Sequence, residues 1–214
     1  MKKIIFTAIL FFSLAASALA VDILPEFVIP AAPITYGVYQ VGHGIALYSE
    51  PNDKAPVVKK ITWNTEGIIP NDLTFADLFA VYIGKKDLAL MSVTDETDDW
   101  VEVIYDNRKG LKGWIKKDDP FKFNTWMNFY NMYGRKYGLV ILKGAPEFVY
   151  SLFGTPEDNE KAISTINQPK LINLNLIRGN WMLVTVVDAD GTPKTGYIRW
   201  RSDDGVKYLF PDIK

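Results

Sequence analysis

Side chains able to do chemistry are sparse in this chain. His43 is the single histidine, and there is no cysteine. A thiol nucleophile is excluded, and a histidine-rich metal site has no ligands to draw on. One histidine suffices for a Ser-His-Asp triad, but no G-x-S-x-G turn exists to present the serine. Within "VGHGIAL" His43 reads instead as a strand-entry turn. Carboxylates are plentiful, 25 in all, and a glycosidase needs only two; a 14% aromatic content with many Gly and Pro favours an all-β chain of small barrels, which rarely form the long cleft a glycan requires. "DADGT", Asp188 to Thr192, begins like a calcium loop but lacks the later ligands and the closing Glu. Asp-Gly there reads as a hairpin tip. No catalytic residue, metal or cofactor is expected.

Binding chemistry is better represented. "TDETDD", Thr94 to Asp99, runs directly into Trp100. A solvated loop that keeps the protein soluble accounts for it; so does a cation-attracting rim beside an aromatic platform. The stretch "DDWVEVIYDNRKGLKGWI" reads as one hairpin with Trp100 opening the first strand and Trp114 the second. Trp100 and Trp114 with Asp95, Glu96, Asp98 and Asp99 are the candidate ligand-binding residues, and the tryptophans serve equally as core.

These residues belong to a repeat. "LYSEPNDKAPVVKKI" (Leu47 to Ile61) matches "LFGTPEDNEKAISTI" (Leu152 to Ile166) at an offset of 105. Leu47 pairs with Leu152, Tyr48 with Phe153, Pro51 with Pro156, Val58 with Ile163 and Ile61 with Ile166. The hairpin recurs as "GNWMLVTVVDADGTPKTGYI", which aligns Trp100 with Trp181 and Gly113-Trp114-Ile115 with Gly196-Tyr197-Ile198. Trp181 and Tyr197 are thus the candidate ligand residues of the second copy. The hairpin offset is 81, so the first copy carries about 24 extra residues before Trp100; long loops close at small entropic cost. Within them Leu73 to Phe79 reads as a short helix. Strands are expected over residues 44–48, 57–61, 81–83, 88–93, 100–105 and 113–116, then 148–153, 162–166, 171–177, 181–187 and 196–200. "LINLNLI" alternates most cleanly. Between the copies, Trp126, Phe129, Tyr130 and Tyr133 recur at helical spacing up to Gly134, which predicts a connector helix with an aromatic face.

The repeated elements resemble the bacterial Src-homology-3-like (SH3-like) domain. The resemblance rests on Ser49-Glu50-Pro51, Trp100, Val103 and Gly113-Trp114-Ile115, and on Gly154-Thr155-Pro156, Trp181, Val184 and Gly196-Tyr197-Ile198. It covers about three quarters of the chain after residue 20. It implies an all-β fold of two tandem SH3-like small β-barrels joined by a short helical connector. It also implies an exported protein that recognises cell-wall peptide or another envelope ligand. The second copy departs in lacking a serine before its proline and in carrying Arg199-Trp200 after Gly-Tyr-Ile. Neither copy has the Pro-Ser-Asn-Tyr motif that binds polyproline helices in eukaryotic relatives, so PxxP recognition is not expected.

The layout follows. Residues 1–20 read as a signal peptide: Lys2-Lys3, an apolar run over Ile4 to Leu14, and Ala18-Leu19-Ala20 before the cut. Residues 21–37 form a Pro-rich arm, 38–120 the first barrel with its insertion around 62–87, 121–138 the connector and 139–214 the second barrel. Cleavage removes two lysines and leaves 22 basic against 25 acidic residues, a net charge of −3. That balance argues against nucleic acid and against polybasic membrane attachment, and no membrane span is expected after cleavage. A noncatalytic module that binds a wall peptide or envelope polymer is one function class. A structural or regulatory partner of another exported protein, working through the Pro-rich arm or sheet edges, is the other. Gly179-Asn180 stands where the first copy has Asp98-Asp99, so the first copy is expected to bind cationic groups better.

Overall fold

The computed structural model describes residues 34–64, 67–118 and 120–213. The expected signal segment and most of the Pro-rich arm lie outside them. Apolar alternation and β-branched content produce sixteen strands among the described residues. The first half runs β1 (Gly37–Gln40), β2 (Gly44–Tyr48), β3 (Val57–Asn64), β4 (Gly67–Ile69), α1 (Phe75–Leu78), β5 (Val81–Ile83), β6 (Leu88–Glu96), β7 (Trp100–Asp106), β8 (Leu111–Lys116) and β9 (Phe123–Thr125). A helical segment follows over Trp126–Tyr137, built of α2 (Trp126–Phe129), a π-helical turn (Tyr130–Gly134) and α3 (Arg135–Tyr137). The second half holds β10 (Leu139–Ile141), β11 (Ser151–Phe153), β12 (Ala162–Thr165), β13 (Pro169–Arg178), β14 (Trp181–Asp188), β15 (Pro193–Arg199) and β16 (Leu209–Pro211). The fold is predominantly β.

One sheet is ordered β4-β3-β2-β8-β7-β6-β1-β9, with β5 added on β6. A second is ordered β12-β11-β15-β14-β13, and β10 pairs with β16. Among the described residues the ladders end at β4 and β9 in the first sheet and at β12 and β13 in the second. The order β3-β2-β8-β7 recurs as β12-β11-β15-β14, so the sequence repeat is also a repeat of pairing. The insertion of the first copy supplies β4, α1 and β5. Helix α1 is fixed by a capping box: Thr74 accepts from the Asp77 backbone, and Asp77 accepts from the Thr74 backbone at 2.7 Å. Asp77 also accepts from Arg108 Nε at 2.6 Å, which docks the insertion on the β7–β8 hairpin tip.

Five strands fall where none was expected: β1, β4, β9, β10 and β16. Strand β1 begins at the end of the supposed arm and pairs with both β6 and β9, so β9 places part of the connector in the first sheet. The connector helix does not stop at Gly134. It continues to Tyr137 and ends at Gly138, which adopts φ 80°. Gly134 serves close packing instead: a Cβ there would lie 3.0 Å from Leu139 Cδ2 and 3.2 Å from Leu174 Cδ2.

Burial explains why the halves stay together. Leu47, Ile61, Val101, Val103 and Ile115 lie in one apolar cluster. Their counterparts Leu152, Ile166, Met182, Val184 and Ile198 lie in another. This second cluster also contains Trp126, Phe129 and Tyr130 from the connector and Val38, Val81, Ile83, Leu88 and Leu90 from the first half. The aromatic face of the connector is therefore the centre of a core that crosses the junction. Tyr130, fully buried, donates its hydroxyl to the Leu209 carbonyl, which meets the requirement that a buried polar group be hydrogen-bonded.

Candidate functional site

Strand pairing sorts the candidate residues by face. Trp100 is opposite Lys116, Glu102 opposite Trp114, and Tyr48 opposite Trp114. Directly opposed residues share a face and neighbours alternate. Trp100, Trp114, Tyr48 and Lys116 therefore lie on the outer face, while Val101, Val103 and Ile115 point to the core. Gly113 is the inward residue between them, and a Cβ there would sit 3.1 Å from the Leu47 Cβ. This steric limit, and not turn formation, accounts for the glycine of Gly-Trp-Ile.

The outer face forms an aromatic shelf. Tyr48 and Trp100 meet edge to face, with centroids 5.2 Å apart and planes at 82°. Lys116 Nζ lies 5.8 Å from the Trp100 ring and reaches both carboxylate oxygens of Asp53 at 2.9 Å. Asp53 belongs to the loop between β2 and β3, so this ion pair ties the loop down beside the shelf. The pair raises the Lys116 pKa first through the Asp53 hydrogen bond, with smaller contributions from the charges of Asp53 and Asp99. Trp100 is only 5% exposed, whereas Tyr48 and Trp114 are half-buried. The surface on offer is thus mainly Trp114 and Tyr48, with Trp100 as backing.

The acidic residues divide. Asp98 and Asp99 sit exposed in the turn between β6 and β7, closed by Thr97 N–H to the Trp100 carbonyl at 2.9 Å. Register puts Asp95 beside Glu102 on the Trp100 face and Glu96 beside Val101 on the other. Glu96 is engaged with Lys117 at 2.6 Å, away from the shelf.

The second copy repeats the aromatic pair, the inward glycine and the loop ion pair. Trp181 is opposite Arg199, and Tyr197 is opposite both Leu183 and Phe153. Phe153 meets Trp181 edge to face at 5.4 Å and 80°. Gly196 occupies the Gly113 position, with a hypothetical Cβ 2.9 Å from the Leu152 Cβ. Arg199 pairs with Asp158 of the loop after β11 and with Asp203 at 2.8 Å. Asp158 stands 105 residues after Asp53, the offset of the loop repeat. The cation after Gly-aromatic-Ile and the loop aspartate were thus readable from the alignment that already paired Tyr48 with Phe153. Trp181 is 8% exposed and Tyr197 half-buried. A pocket of about 430 Å³ opens on this side, lined by the loop Thr155–Asp158, the turn Arg178–Trp181, Arg199 and Asp203.

The hairpin tips match as well. Asp106 and Asp188 are both buried at the ends of β7 and β14 and pair with Lys109 at 3.5 Å and Lys194 at 2.8 Å. Asp188 therefore belongs to hairpin closure; its pKa is lowered, chiefly by the Lys194 hydrogen bond. His43 lies just before β2, exposed, with Nε2 3.5 Å from Asp87. Among the described residues no helix is long and apolar enough to cross a membrane. A separate cationic feature lies at the junction, where Lys207 Nζ stands 3.8 Å over the Trp126 ring. Burial, and then the charge of Arg201, lower its pKa to about 7.

Comparison with protein families and with curated proteins returns no match.

Proposed function

We propose that this chain is an exported, noncatalytic binding protein made of two tandem SH3-like units, whose outer-face aromatic shelves recognise cell-wall peptide or another envelope ligand. The observation that carries the reading is the duplicated shelf: Tyr48, Trp100, Trp114, Lys116 and Asp53 in one copy, Phe153, Trp181, Tyr197, Arg199 and Asp158 in the other. On the outer face of both copies, beside a loop held by an ion pair, the half-buried rings of Tyr48 and Trp114 and of Phe153 and Tyr197 leave aromatic surface open to a ligand. Rings there offer stacking and cation–π contacts of about 0.5–2 kcal/mol each. The order β3-β2-β8-β7 and its repeat support the SH3-like assignment. The sequence features of residues 1–20 support export.

The test is co-sedimentation with purified cell-wall material. Wild-type protein is expected in the pellet, Trp114→Ala and Tyr197→Ala each to reduce it severalfold, and the double variant to abolish it with circular dichroism unchanged. Failure of wild type to sediment, together with capture of one exported protein from envelope extract, would establish the adaptor reading instead.

A further inference from the structure

The two shelves differ in charge at equivalent rims. The residues before Trp100 are Thr97-Asp98-Asp99, and those before Trp181 are Arg178-Gly179-Asn180. The equivalence is structural, since Thr97 pairs with Trp100 across its turn as Arg178 pairs with Trp181 across its own. Register places Arg178 on the Trp181 face, and both line the 430 Å³ pocket. That volume is within the range of about 300–1,000 Å³ common for small-ligand sites.

Most polar groups of the pocket are already engaged. Arg199 is held by Asp158 and Asp203. Asn180 donates to Asp203 at 2.8 Å and accepts from Arg201 Nε at 2.7 Å. Two charges remain, the exposed guanidinium of Arg178 and the exposed carboxylate of Glu157. Neither forms an ion pair or a side-chain hydrogen bond among the described residues. Resting on the shelf reading above, we infer that this pocket takes a zwitterion. The ligand is a short peptide carrying both a free carboxylate, received by Arg178, and a free ammonium, received by Glu157, laid along Trp181. A guanidinium receives a carboxylate in bidentate geometry that an ammonium cannot match. The pocket thus differs from the Asp98-Asp99 rim, which offers anions alone.

Triglycine at millimolar concentration is the probe, followed through the backbone and indole amide signals of Trp181 by two-dimensional NMR. N-acetyl-triglycine and triglycine amide remove one charge each. Triglycine is expected to shift the Trp181 signals and to bind about tenfold more tightly than either blocked form, the scale of one charge-assisted contact. Arg178→Gln should erase the preference over the amide only, and Glu157→Gln the preference over the acetylated form only. Equal binding of all three probes, or variants that keep both preferences, would overturn the inference and leave the shelf reading intact. The same holds if wall fragments shift Trp181 and no triglycine probe does. If neither wall fragments nor probes shift Trp181, both readings fall.

Discussion

Lys207 offers a test of the junction that depends on no ligand. Its ammonium faces the Trp126 ring and has no carboxylate within 4 Å among the described residues, and its pKa of about 7 compares with an ordinary value of 10.5. A lysine lowered in the folded state is charged in both states below about pH 7, where burial opposes folding at full strength. Between pH 7 and 10.5 the folded protein releases a proton that the unfolded chain keeps, so stability rises with pH in that window. At full strength the gap corresponds to about 5 kcal/mol. Lys207 keeps some solvent access as a residue, and the indole face favours the ammonium, so the rise from pH 7 to pH 9 is expected to be about 1 kcal/mol. Tyr130 and Tyr133, both pushed upward by burial from an ordinary value of 10.0, stay protonated over the pH 7 to 9 range. Urea denaturation followed by tryptophan fluorescence at fixed ionic strength measures the rise. Lys207→Met should remove the pH dependence and add about 1 kcal/mol at pH 7. A wild-type stability that is flat or falls from pH 7 to 9, in parallel with the variant, would show that the ammonium stays hydrated and refute the argument.

Gly196→Ala should destabilise by about 1–3 kcal/mol, read as a lowered denaturation midpoint, because its Cβ meets backbone-linked atoms of Leu152 and Phe153. Asp77→Ala removes both the α1 capping box and the Arg108 partner and should cost about 1–2 kcal/mol in the same assay. Lys194→Met leaves Asp188, 5% exposed at its side chain, without its cation and should cost about 1–3 kcal/mol. Since the Asp188 pKa is lowered in the fold, the stability this pair supplies is present above the ordinary carboxylate range and is lost as pH falls through the lowered value. Residues 139–214 expressed alone should show no cooperative thermal transition by circular dichroism, because their core lacks Trp126, Phe129 and Tyr130.

Alternation made the hairpins legible. The expected strands at residues 44–48 and 81–83 coincide with β2 and β5, and those opening at Trp100 and Trp181 with the starts of β7 and β14. Strand β1 was hidden because Gly37 and the preceding prolines read as arm, and its pairing with β9 is a long-range choice that no local pattern encodes. The segment at Phe148 likewise begins as a 3-10 turn over Glu147–Tyr150 before β11; its apolar run does not distinguish the two. At the site, residue types pointed to Trp100 and Trp181, yet which ring is backing and which is surface follows from register. Only pairing tells that Trp114 and Tyr48 share the outer face. Glu96 illustrates the converse, since it is contiguous in sequence with Asp95 and lies on the other side of the sheet.

The core that crosses the junction has a consequence for any ligand long enough to meet both shelves. Tandem modules on a flexible tether accept partners over a range of spacings, with an effective concentration set by the tether. Here Val38, Leu88 and Leu90 pack in the same cluster as Trp126, Trp200 and Ile198, so the distance between the shelves is built into the packing and behaves as a caliper. If the shelves bind as proposed, a polymer whose repeat matches that span gains avidity at no cost in linker ordering, and one whose repeat does not match gains none.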